Sequence, residues 1–272
     1  MRHIILHHHI FKNAGSTLDS ALATQFGVGF ASLENGGDPV PDSMVIDFLD
    51  AHPHIKAVSS HHIHGESLNP VLRNHGYRIF DLALVRRPMD RLLSVYKYIR
   101  RTPSALALWN QAMELDVRGF VQLLVDQHPY EIDNPQVNVI ANHGFYGRPV
   151  SQEDLDTAWD RYKNYSLCAP VERYDEAMVT VEYFNSPVYL PHGLDLSYRR
   201  LNTSQPLAGE ANLESLLGSA LYQWLTRVLV HDERLWQRAD AELDRRIALV
   251  PDFAKRLCAF QERCQRLQAL AA

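Results

Sequence analysis

Three groups of residues in this chain carry side chains suited to holding an anion and moving a proton. The first is Lys12-Asn13-Ala14-Gly15-Ser16-Thr17. Its lysine supplies a mobile positive charge, its glycine lets the backbone turn closely, and its two hydroxyls donate hydrogen bonds. If a helix follows, unbonded amides and the positive end of the helix dipole face an anion, best a nucleotide phosphate. The second group is Arg86 with Ser94, eight residues apart. An arginine at the end of an apolar run and a hydroxyl two turns into the next helix can converge on one anion. The third is Ser59-Ser60-His61-His62-Ile63-His64-Gly65. A neutral imidazole near pH 7 can take a proton from a hydroxyl, and His61, His62 and His64 are the candidates. A metal reading is weaker, because neighbouring side chains on a strand point to opposite faces and at most His62 and His64 share one.

The elements that must position these groups are legible in outline. Ile4-Ile5-Leu6, followed by His7-His8-His9-Ile10-Phe11, predicts a strand, then the Lys12 loop, then a helix from Leu18 to Leu22. Residues 23–54 read as loop-rich, with a short helix over 43–51. Ile55 to Ser59 is a short strand, and Tyr77 to Val85 is a longer one, apolar almost throughout as a buried parallel strand should be. Arg86-Arg87-Pro88 stops it. Leu92, Leu93, Tyr96 and Ile99 place a helix over 89–101. Further helices are expected over 105–127, 137–141 and 151–162, the last opened by Ser151 with an acidic first turn. A strand over 166–171, a helix over 175–184, a loop over 185–212 and a helical remainder broken at Pro251 complete the pattern. Alternating strands and helices predict an α/β fold: a P-loop-like parallel sheet flanked by helices, with a mostly helical C-terminal part. No repeat or linker stands out, so residues 1–272 are expected to form one domain.

Bulk properties narrow the function. The net charge is −5, so no global basic field attracts nucleic acid. Three scattered cysteines suit neither a disulfide framework nor a zinc site and fit a reducing cytosol. No apolar run approaches the roughly 20 residues that span a bilayer, so the expectation is a cytoplasmic protein without a membrane anchor. The triple histidine lies within the first strand and reads as native sequence.

The loop departs from the Walker A pattern, in which lysine follows the glycines. Its order resembles the 5′-phosphosulfate loop of sulfotransferases, P-K-x-G-[ST]-[ST], with Phe11 in place of proline. Arg86-Arg87-Pro88-Met89-Asp90-Arg91-Leu92-Leu93-Ser94-Val95-Tyr96 resembles the 3′-phosphate motif of the same family, R-[DN]-P-x-x-R-x-x-S-x-Y, with Arg87 in place of the acid or amide. The segment around His61 resembles S-G-H-x-x-x-G of the uronosyl 2-O-sulfotransferase-like group, with Ser60 for glycine. Asp133-Asn134-Pro135-Gln136 is similar to D-N-x-Q, with Asn138 where an arginine is usual; Val171 to Asp175, Tyr198 to Asn202 and Asp232 to Trp236 are weaker echoes. The resemblance spans most of Ile4 to Trp236.

The resemblance implies an O-sulfotransferase that moves a sulfuryl group from 3′-phosphoadenylyl sulfate (PAPS) to a hydroxyl and releases adenosine 3′,5′-bisphosphate (PAP), without a metal. It assigns Lys12 to the leaving phosphate and His61 to the acceptor proton. It places the 5′-phosphosulfate on Lys12, Asn13, Ala14, Gly15, Ser16 and Thr17, and the 3′-phosphate on Arg86 and Ser94. The acceptor is expected to be a glycan or a small hydroxylated molecule. The alternatives are an ATP- and magnesium-dependent P-loop phosphotransferase and a noncatalytic carbohydrate- or nucleotide-binding module. The C-terminal stripe Phe253, Leu257, Phe260, Cys264 and Leu267 fits either packing on its own domain or association into a homo-oligomer.

Overall fold

The computed structural model describes residues 1–63, 68–102, 107–144, 147–189, 193–199 and 213–270; His64, Arg200 and the rest of the 200–212 segment lie outside them. In chain order the elements are β1 (Arg2–His8), α1 (Gly15–Phe26), β2 (Phe30–Ser32), α2 (Asp42–Ala51), β3 (Ala57–Ser60), α3 (Leu68–Asn74), β4 (Tyr77–Val85), α4 (Pro88–Ile99), α5 (Ala107–Met113), α6 (Val117–Gln127), α7 (Pro135–Asn142), α8 (Gln152–Tyr162), β5 (Leu167–Pro170), α9 (Tyr174–Asn185), α10 (Leu213–Leu217), α11 (Ser219–Val228), α12 (Val230–Ile247) and α13 (Phe253–Ala269).

The strands form one parallel sheet in the order β2-β3-β1-β4-β5. From β1 the chain moves to β2 and β3 on one side, then crosses back to β4 and β5 on the other. The carboxyl end of β1 is therefore a switch point, where the connections diverge and leave a crevice. The α/β class and the helical C-terminal part are as expected. Among the described residues no helix is long and apolar enough to cross a membrane.

Burial follows the strand period. Ile5 of β1 joins Leu82, Leu84, Leu167 and Ala169 in a core closed by α1, α9 and α13. Ile4 and Leu6 face the other way, onto α2 and α3 through Val45, Leu49 and Leu72. Beyond β1, Ala83, Val85 and Cys168 pack on α7, α8 and α12. Helices α4, α5, α6, α10 and α11 share a separate apolar cluster around Phe120.

Several boundaries differ from expectation. Helix α1 runs four residues past Leu22. Strand β2 lies in the stretch read as loop; its three residues carry no period, and it exists because Phe30, Ala31 and Ser32 pair with β3. Helix α3 was not anticipated. The 105–127 helix is two, broken before Asp116, whose side chain caps α6 by accepting from Gly119 N. The C-terminal helices break at Gly218 (φ 79°) and Leu229 as well as before Pro251. Ser151 and Asp154 form a reciprocal capping box at α8.

Candidate functional site

The loop between β1 and α1 is shaped by two left-handed residues, Lys12 (φ 67°) and Ala14 (φ 61°). Gly15 is the first residue of α1, and its own role is different: a Cβ there would fall 2.1 Å from His9 Cδ2. The expected turn at Gly15 is thus made by its neighbours, and the glycine accommodates an imidazole. Thr17 N donates to Ala14 O at 3.0 Å. The amides of Gly15 and Ser16, at the start of the helix, take no partner among the described residues, and both residues line the cleft described below.

Asn13 does not serve the cleft. Its backbone amide donates to Ile10 O, and its Nδ2 donates to Leu84 O (2.8 Å) and Gln136 Oε1 (2.7 Å). The side chain is buried and braces the loop from below. Phe11, which stands in place of proline, and Tyr98 form an aromatic cradle, with Lys12 Nζ 4.2 Å from the Tyr98 centroid and 5.7 Å from that of Phe11. Arg91 Nε donates to Phe11 O at 3.0 Å and fixes the loop to α4.

A cleft of about 1120 Å³ opens at the carboxyl ends of the strands. Lys12, Ala14, Gly15, Ser16, Thr17, His61, Arg86 and Ser94 all line it, so the structure brings together every residue the resemblance assigns to the site except Asn13. His62 is not among the lining residues, and His64 lies outside the described ones.

The cleft also holds residues the sequence reading missed, His9, Lys97 and Tyr98 among them. Lys97 falls one turn after Ser94 on α4. Lys12 is held below its ordinary pKa by burial, then by the positive charges of Arg86 and Arg101. Lys97 is shifted the same way by burial and by Arg101 and Arg86, with Asp90 opposing. Burial also lowers Arg86, with Glu172 and Asp90 opposing. Lys12, Arg86 and Lys97 thus lie close enough to depress one another at one end of the cleft, with the carboxylates of Asp90 and Glu172 lining it beside them.

Arg86 is set by its backbone. Gln136 Oε1 accepts from Arg86 N (2.8 Å), and Gln136 Nε2 donates to Arg86 O (2.9 Å). The guanidinium donates to Lys12 O at 3.2 Å, which ties the two phosphate-type motifs together. Arg87 instead lies over the Trp236 ring, 4.6 Å from its centroid, and its amide donates to Glu172.

Two carboxylates, Glu34 and Asp19, hold three histidines on the other side. His61 Nδ1 bonds Glu34 Oε1 at 2.9 Å, and Glu34 also accepts from His61 N. The His61 ring stacks on His9, centroids 4.1 Å apart. His7 and His9 both turn Nδ1 to Asp19, at 2.6 and 2.9 Å. His8 faces away and bonds Asp81 and Ile63 O. Burial lowers His7. Burial would raise Asp19, but hydrogen bonds from His7, His9 and Ser59 outweigh it and hold this carboxyl well below the usual range.

An uncharacterized protein of Archaeoglobus fulgidus is 24% identical over 251 residues, 87% of this chain and 96% of that protein. No protein-family model matches the chain. No solved structure matches it.

Proposed function

We propose that the chain is a PAPS-dependent O-sulfotransferase acting on a glycan or small-molecule hydroxyl. The observation that carries the reading is the convergence, in one cleft, of the Lys12–Thr17 loop with Arg86, Ser94 and Lys97, two anion-binding ends tied by the Arg86–Lys12 O bond. PAPS has two separate anionic ends, the 5′-phosphosulfate and the 3′-phosphate. The amides of Gly15 and Ser16 with Lys12 suit the first, and Arg86 with Ser94 suits the second. In this reading Lys12 and the amides stabilise charge growing on the leaving phosphate. An imidazole of the His9–His61 stack takes the acceptor proton, at the place anticipated for His61. The strands on either side of β1 end in Ser60 and Val85, so neither presents the strand-end carboxylate that a magnesium-dependent phosphotransferase uses.

Calorimetric titration of PAP tests the reading. Metal-free binding that Arg86→Ala weakens at least tenfold is the expected result, about 1.5 kcal/mol for a hydrogen bond to a charged group. Binding of ATP with magnesium, and none of PAP, would replace this reading with phosphotransfer.

A further inference from the structure

The stacked histidines differ in where they stand. The His9 side chain is 11% exposed and that of His61 is 42% exposed. The Cδ2–Nε2 edge of His9 lies over Gly15, where the anion loop meets α1: an added Cβ at Gly15 would come within 2.2 Å of His9 Nε2. The His61 ring stacks on His9, centroids 4.1 Å apart, and is the more exposed of the two.

Hydrogen bonding fixes the tautomer. A carboxylate only accepts, so His9 Nδ1, 2.9 Å from Asp19 Oδ2, carries the proton. In the neutral ring this leaves the lone pair on Nε2, which takes no partner among the described residues and belongs to a cleft-lining side chain. Asp19 stands four residues after Gly15 on α1, so the anion loop and the carboxylate that orients His9 share one helix face.

We propose that His9 is the group that takes the acceptor proton, with Asp19 as its positioning residue and His61 as the ring that covers it. The proposal rests on the sulfotransferase reading. In the step, the acceptor oxygen forms a bond to the donor sulfur. The bond between sulfur and the bridging oxygen breaks, and its electron pair leaves on PAP. The acceptor proton passes to His9 Nε2. The titratable groups against His9 are Asp19 on α1, His7 on β1 and His61, itself held by Glu34.

His7, His9 and Asp19 offer ligand atoms within 4.8 Å of one another. Their N···O separations of 2.6 and 2.9 Å are hydrogen-bond lengths, whereas two ligands of a tetrahedral zinc stand about 3.3 Å apart. Protons fit this cluster better than a metal ion does.

The test combines PAP calorimetry, nitrogen-15 NMR of the histidine rings, and PAPS consumption with water and a simple alcohol as acceptors. It uses wild type, His9→Gln, His61→Gln and Asp19→Asn. The expected spectrum shows His9 protonated on Nδ1 and bare on Nε2. The expected rates fall about 100-fold or more in His9→Gln and tenfold or less in His61→Gln, with PAP binding within threefold of wild type in both. Asp19→Asn is expected to move the acid limb of the pH–rate profile to lower pH, because the imidazolium loses its counter-charge; a purely structural role would leave the limb in place. Protonation of His9 on Nε2 in the neutral ring, or zinc bound at Nδ1, overturns the proposal. So does a wild type that binds PAP but consumes no PAPS, or a His9→Gln that keeps its rate while PAP binds. A wild type that binds no PAP overturns the sulfotransferase reading itself, whatever the NMR shows.

Discussion

At position 15 an added methyl would meet the His9 ring at contact distances no real Cβ adopts. The helical backbone there asks for no special residue, so Gly15→Ala acts through the ring. We expect it to displace His9 and cost about 1–3 kcal/mol, as overpacking does, with PAP binding weakened tenfold or more. Thermal melting and calorimetry read the two effects; an alanine variant that melts and binds as wild type would contradict the contact. Asp19 makes a pH-dependent contribution. Its folded carboxyl titrates below the ordinary 3.8, so in acid the unfolded chain takes up a proton that the folded chain refuses, and stability falls. The advantage of wild type over Asp19→Asn should be full above about pH 5, at about 1.5–3 kcal/mol for charge-assisted bonds, and shrink as pH drops through 4 and below. Urea midpoints from pH 3 to 7 measure it; a gap that stays constant across that range would sink the assignment.

Helices α7 and α12 cap each other, and the junction holds the site from behind. Asn134 Oδ1 accepts from the amides of His231 and Asp232 at the start of α12. The Asp232 carboxylate accepts from Gln136 N and Val137 N at the start of α7. Burial pushes Asp232 up to about 6 against these bonds. The folded chain therefore holds its proton between about pH 4 and 6, and this contribution to stability declines as pH rises through that window, opposite in sign to that of Asp19. Gln136 carries the junction forward to Arg86 and Asn13. Gln136→Ala strands the buried Arg86 amide, at about 1–3 kcal/mol, and leaves Asn13 Nδ2 with Leu84 O as its one remaining acceptor. We expect a total loss of about 2–4 kcal/mol and weaker PAP binding, although Gln136 does not line the cleft. Denaturant unfolding beside calorimetry checks this, and unchanged PAP affinity would show that Arg86 needs no brace. These elements also mark how far the sequence could be read. Strand β4 matched its expected bounds because a parallel strand buried on both faces is apolar over most of its length, Arg78 and Asp81 excepted. The α4 face is half visible: Asp90, Ser94 and Lys97 recur at helical spacing, yet the motif singles out only Ser94. Strand β2 and the His9–His61 stack were invisible, because both arise from contacts between segments far apart in the chain.

Across the whole molecule the charge is −5, and the cleft sets Lys12, Arg86, Lys97 and Arg173 among the carboxylates of Asp90, Glu172, Asp175 and Glu176. The cleft lies at the switch point of the sheet, where the loops after β1, β3, β4 and β5 meet. Helix α13 closes that arrangement. Phe260 is fully buried among Tyr174, Met178 and Leu243, with Phe253, Leu257 and Cys264 packed on the same cluster. The C-terminal stripe therefore packs on its own chain, although Leu267 is not part of the cluster. Leu257 and Gln261, on either side of Phe260, line the cleft, and Gln261 Nε2 donates to Asp175 at 3.2 Å. Phe260→Ala should cost about 3–5 kcal/mol, the range for a buried aromatic lost from a core. PAP binding should weaken with it, since the rim loses its support. If the stripe is satisfied within one chain, the melting temperatures of wild type and variant should not depend on protein concentration. A wild-type melting point that rises with concentration, together with a small loss in the variant, would instead mean that the stripe is covered by a second copy.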